Sequence, residues 1–119
     1  MQDIQKVNRL NVLFDFYGEL LTEKQKDIFA LYYHQDWSMG EIAEYYKISR
    51  PAVHDLLKRV ERQLQQYEEK LKLVDKYITL DKKLIEIEEL LGEYSKGASA
   101  EEITVLKKLI KEISLLERE

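Results

Sequence analysis

The chain contains no cysteine among its 119 residues. This excludes a disulfide scaffold, a cysteine-based zinc site and a thiol nucleophile, and it suits a reducing cytosol. There is one proline and there are four glycines, so little in the sequence interrupts a helix. Only two histidines occur, His34 and His54. They lie on different segments without a His-x3-His pairing, so no metal centre is expected. No Ser-His-Asp order, glycine-rich phosphate loop or nucleotide fingerprint is present. Glu86, Glu88 and Glu89 are the kind of cluster a highly charged helix produces by chance. Neither an enzyme nor a cofactor is expected. No apolar run approaches the roughly 18 residues that a membrane span requires. The start, Met1 to Lys6, lacks the apolar stretch of a signal peptide. The expected location is the cytoplasm.

What the sequence does hold is helical pattern. Hydrophobic residues make up 45% and charged residues 35%, enough for a core beneath a wet surface. Asp3 is placed to cap a first helix from Ile4 to Leu21, with Ile4, Val7, Leu10, Phe14, Tyr17 and Leu21 on one face and Val12, Leu13, Phe16 and Leu20 widening it. Thr22 with Gln25, and Ser38 with Glu41, have capping-box spacing and open a second helix and a third, Met39–Tyr46. His34 to Trp37 connects the two. Lys47-Ile48-Ser49 is a tight turn, Ser49 caps a fourth helix, and Pro51 sits in its first turn, where a missing N–H costs nothing.

The fourth helix carries a heptad seam. Val53, Leu57, Val60, Leu64, Tyr67, Leu71, Val74 and Ile78 alternate spacings of four and three. The phase then slips to Tyr77, Leu80, Leu84, Ile87 and Leu91, which a stutter or a break near Lys72–Lys76 would produce; a break is expected, because one helix from Arg50 to Leu91 would be about 60 Å long and need a partner along its length. Gly92 to Ala98 reads as a linker. Ser99 with Glu102 reads as a third capping box, and Ala100 to Leu116 as a last helix with Ile103, Leu106, Leu109, Ile110, Ile113 and Leu116 inward. The expected organisation is a helical domain over residues 1–70, with a helix-turn-helix at 38–62, and a C-terminal tail or hairpin over 71–119.

Net charge is -4, so the whole chain is no polyanion binder. Residues 49–62, however, carry 4 basic and 2 acidic side chains, a local positive excess. With Val53, Leu57, Val60 and Leu64 inward, the outer face of the fourth helix holds Pro51, Asp55, Lys58, Arg59 and Arg62, flanked by Arg50 and His54. Arg50, His54, Lys58, Arg59 and Arg62 are the candidate nucleic-acid contacts. A plainly solvated helix face is the competing reading. Pro51 and Ala52 offer no side-chain hydrogen bonds, and Asp55 repels phosphates, so the face suits a phosphate backbone better than base edges. Most of the eight tyrosines fall at helical spacing beside Leu and Ile, which favours core packing over a stacking platform for single strands. Trp37 reads as a staple for its loop.

The stretch from Leu21 to Arg62, through Ser38-Met39-Gly40-Glu41-Ile42-Ala43, Ile48-Ser49-Arg50 and Val53, resembles the region-four helix-turn-helix of bacterial sigma factors. The whole chain resembles the narrower YlxM family, in its tyrosine-rich helices, in Ile48-Ser49-Arg50-Pro51-Ala52-Val53-His54-Asp55 and in its helical tail. The resemblance implies an all-α fold with a long recognition helix. It also implies a regulatory protein set in the signal recognition particle pathway, with DNA, particle RNA or particle proteins as partners. Lys47 stands where such turns often carry glycine, so a positive φ there would be slightly strained. The seam suits a dimer coiled coil or, equally, the packing of the first and last helices of the same chain; the amount of apolar surface left to cover points to a homodimer. The alternative is a protein-interaction adaptor that keeps the helix-turn-helix only as a scaffold.

Overall fold

A computed structural model describes residues 3–94 and 100–118, all of whose regular elements are helices. Their order is α1 (Ile4–Tyr17), a 3-10 turn (Gly18–Leu20), α2 (Glu23–Tyr33), α3 (Met39–Tyr46), α4 (Arg50–Leu71), α5 (Leu73–Tyr94) and α6 (Ala100–Arg118). The chain divides into two compact units, Met1–Val74 and Asp75–Glu119.

In the first unit, α1 ends at Tyr17, before the Leu21 expected from its apolar stripe. Two demands stop it. Leu21 is extended so that its side chain enters the core, and this leaves Thr22 free to cap α2. A reciprocal box completes that cap: Thr22 Oγ1 accepts from the Gln25 N–H at 3.2 Å, and Gln25 Oε1 accepts from the Thr22 N–H at 3.0 Å. Gly18 begins the tighter turn close to Phe14, whose ring stacks on Phe29 with centroids 4.4 Å apart.

The core has two parts. Leu10, Leu13, Tyr17 and Leu21 meet Phe29, Val60, Leu64 and Val74 in one. Ile28 meets Ile42, Ala43, Val53 and Leu57 in the other. The inner stripe of α4 crosses both, so this helix is the spine against which α1, α2 and α3 pack. Of the second apolar set on α1, Leu13 is buried and Phe16 half-buried, while Val12 and Leu20 face solvent. The expected break falls at Lys72, which adopts φ 54° and ψ 32° and separates α4 from α5.

In the second unit Leu84 is buried, whereas Ile78, Ile85, Ile87 and Leu90 of α5 and Val105, Leu106, Leu109 and Ile113 of α6 are 42–57% exposed. The inward positions expected for α6 are thus only partly covered, with Ile103 and Ile110 half-buried. α6 has one other helix in its unit, too little surface to cover a full apolar stripe. α5 runs through Gly92 to Tyr94, which places the first residues of the expected linker inside a helix. The rest of that linker and the Ser99 capping box lie outside the described residues. Among the described residues no helix is long and apolar enough to cross a membrane.

Candidate nucleic-acid interface

The helix-turn-helix is built by its caps. Ser38 Oγ accepts from the Glu41 N–H at 3.1 Å and Glu41 Oε1 accepts from the Ser38 N–H at 3.2 Å, which starts α3. Lys47 stops it with φ 56° and ψ 46°, and the Ile48 N–H donates to the Ala43 carbonyl at 3.0 Å. This is the left-handed C-terminal cap usually given to glycine. Ser49 Oγ then accepts from the Ala52 N–H at 3.1 Å and starts α4. Ala43 is small where the helices cross. Ile42, Val53 and Leu57 are buried between them, and Ile48 packs at the edge of the same cluster.

That packing turns the other side of α4 outward. Arg50, His54, Lys58, Arg59 and Arg62 are all exposed, but they are not equivalent. Arg50 folds back over Gly40 at the start of α3: a Cβ built there would stand 3.0 Å from the Arg50 guanidinium. His54 Nδ1 lies 3.7 Å from the carboxylate of Asp55. Lys58 Nζ lies 3.5 Å from Glu61 Oε2, which Lys6 Nζ also approaches at 3.4 Å. Glu61 is buried and accepts from the Tyr33 hydroxyl at 2.7 Å. Lys58 is therefore partly neutralised and drawn toward α1. Burial, and then the bond to Glu61, push the Tyr33 phenol well above its usual range. Among the described residues Arg50, Arg59 and Arg62 form no ion pair.

Two hollows flank α4. Lys6, Tyr32, Met39, His54, Lys58 and Glu61 help to line one of about 330 Å³. Lys24, Gln25, Ile48, Asp55, Leu56 and Arg59 help to line the other, of about 500 Å³. His54 and Lys58 thus belong to one flank and Arg59 to the opposite one. Lys24, from the first turn of α2, joins Arg59 and was not among the expected contacts. Only the packing of α2 on α4 brings it there, and no spacing within the sequence signals it. Its ammonium also stands 6.0 Å from the Tyr46 ring centroid, at the outer limit of a cation–π contact.

The aromatic residues serve packing. Tyr17 is buried, and Tyr32, Tyr33, Tyr46 and Tyr67 are half-buried beside the core. Tyr45 is 66% exposed and meets Trp37 edge-on at 5.6 Å. Trp37 is half-buried against the second core cluster and fastens the α2–α3 connection, as expected of it. His34 bonds Asn11 at 2.9 Å, and among the described residues no group of three or more potential ligands forms a metal site.

Comparison with known proteins agrees with this architecture. A family model described as "Putative helix-turn-helix protein, YlxM / p13 like" matches residues 4–104. The chain is 47% identical to a UPF0122 protein of Desulforamulus reducens over 113 residues, covering 95% of this chain and 94% of that protein. It is 48% identical to the UPF0122 protein YlxM of Bacillus subtilis over 103 residues, covering 87% and 91%. It is 50% identical to the UPF0122 protein YofM of Lactococcus lactis over 93 residues, covering 78% and 81%.

Proposed function

Because the chain belongs to the YlxM/p13-like family of helix-turn-helix proteins, we propose that it is a regulatory nucleic-acid-binding protein, without enzymatic activity, that lays α4 along a phosphate backbone in the manner of the sigma-factor motif. One observation carries this reading. Among the described residues the guanidinium groups of Arg50, Arg59 and Arg62 are exposed and form no ion pair, with Arg62 on the outer side of α4, Arg59 on one flank and Arg50 over Gly40. Guanidinium suits phosphate because its fork of donors matches the phosphate oxygens. His54 and Lys58 add contacts on one flank, and Lys58 does so at the cost of its bond to Glu61.

Pro51 and Ala52 leave the first turn of α4 poorly equipped for bases, so affinity is electrostatic and weakly sequence-dependent. The setting we assign is the signal recognition particle pathway in the cytoplasm, with duplex DNA or the particle RNA as ligand and particle proteins as further partners. Residues 71–119 supply a homodimer contact through the apolar positions that one chain leaves open.

The test is fluorescence anisotropy on labelled duplex DNA and on particle RNA at two salt concentrations. Three to four phosphate contacts give a slope of log K against log salt of about -3. Arg59→Glu with Arg62→Glu abolishes the signal. If the wild-type protein binds neither ligand at low salt, the reading is wrong.

A second reading has its own support. Exposed Pro51, Ala52 and Asp55 at the start of α4, and the open apolar residues of α5 and α6, suit an adaptor that binds protein. In that case the double charge reversal leaves cellular function intact, while Leu→Asp changes in α6 destroy it.

A further inference from the structure

The break at Lys72 is marked by the slip in the apolar pattern, but no helix-breaking residue produces it. From Tyr67 to Ile78 the sequence holds no Gly, Pro, Ser or Asn, and the heptad seam from Val53 to Ile78 runs straight through it. Every residue in this stretch tolerates an ordinary helix. Lysine in the left-handed region is sterically disfavoured. The break also leaves Leu71 and Leu73 44% and 43% exposed. Local propensity therefore favours one continuous helix, and something distant must overrule it.

Tyr17 and Glu68 do so. The buried Glu68 carboxylate accepts from the Tyr17 hydroxyl at 2.5 Å and, through the same Oε1, from the Val74 N–H at 3.0 Å. The Tyr17 hydroxyl oxygen accepts from the Leu73 N–H at 3.0 Å. In an unbroken helix those two N–H groups would donate to the carbonyls of Glu69 and Lys70. Here one side chain from the end of α1 and one from the last turns of α4 replace both bonds, and the wholly buried Val74 completes the first core cluster. Two backbone bonds are thus exchanged for two others, one of them to a buried carboxylate.

We propose that Tyr17 and Glu68 form a latch that imposes the break, and that α4 continues as a helix through Lys72 to Val74 when it opens. The latch ties α1 to the junction of α4 and α5. Any event that draws the end of α1 away from α4 then converts the junction, which makes this a two-state element in the sense that conformational switching requires.

The test uses the full chain and NMR at Lys72. In the Tyr17→Phe, Glu68→Leu double variant, contacts between residues i and i+3 should appear from Leu71 to Val74 and from Lys72 to Asp75. The Lys72 HN–Hα coupling should fall to its helical value. A folded double variant that keeps a positive φ at Lys72 and lacks those contacts overturns the proposal. Should the double variant not fold, Tyr17→Phe and Glu68→Gln decide singly. Movement of the Lys72 coupling toward the helical value in either supports the latch, and an unchanged coupling in both overturns it.

Discussion

Lys47 holds a backbone conformation that a side chain resists, and it does so because the motif leaves it no choice. α3 must stop and α4 must start within three residues for Val53 and Leu57 to reach Ile42. Lys47→Gly removes the clash of Cβ with the backbone and is expected to raise stability by about 1 kcal/mol, part of the gain being offset by the greater freedom of glycine in the unfolded chain. A thermal melt checks this, and an unchanged or lower midpoint would refute it. Tyr33 makes a second case at this scale. Its phenol is held above the usual value near 10 by burial and by the bond to Glu61. The folded protein therefore keeps the proton where the unfolded chain begins to lose it, so this contribution is full below about pH 10 and declines as pH rises further. Tyr33→Phe is expected to lower stability at pH 8 and to flatten the decline between pH 8 and pH 10.5. Urea titration of both proteins at the two pH values measures the difference. The capping roles of Asp3, Thr22, Ser38 and Ser49 and the tight turn at Lys47 were legible in the sequence because each depends on residues within a few positions. The bond from Tyr33 to Glu61 spans 28 positions, and nothing local announces it.

At the scale of the element, α4 has two faces with different histories of legibility. Its inner stripe follows from heptad spacing alone, and Val53, Leu57, Val60 and Leu64 are all buried as that spacing requires. Its outer face was read as Lys58, Arg59 and Arg62 with Arg50 and His54 flanking them, and packing sets Lys58 apart from the arginines. Glu61 is the reason. Spacing counts it as one more acid in a charged helix, yet it is buried under α1 and holds both Lys6 and Lys58. Both lysines are about half exposed, so solvent screens these pairs and each contributes little to stability. Glu61→Gln keeps an acceptor for Tyr33 and releases Lys58. Its expected cost is about 1 kcal/mol, while affinity for duplex DNA rises and the salt slope steepens by about 1. Anisotropy across a salt series reads both. Weaker binding at unchanged fold would show that Lys58 is no phosphate contact.

Across the whole molecule, apolar surface is unevenly accounted for. The first unit holds nearly all of the buried core, although Ile4, Leu20 and Tyr45 among others stay exposed, whereas much of the apolar surface of α5 and α6 stays open. The sequence told where the helices of the tail lie but not what covers them, because helical spacing marks a face without naming its partner. Scattered exposed leucines are ordinary, but a continuous stripe of them on a helix marks an interaction surface. Leu106 and Leu109 lie on one such stripe at 42% and 49% exposure. Burying each in the proposed homodimer contributes about 1–2 kcal/mol per copy at roughly 25 cal/mol per Å², so on that proposal Leu106→Asp with Leu109→Asp should shift the protein to monomer at micromolar concentration. Sedimentation velocity over a dilution series reads the change. Neither residue belongs to the clusters that hold α1 to α4 together, so the melting of that unit should stay in place. A wild-type protein that sediments as a monomer at every concentration would remove the dimer and leave the stripe to a different protein. A variant that loses the melting transition altogether would instead show that the tail stabilises its own chain.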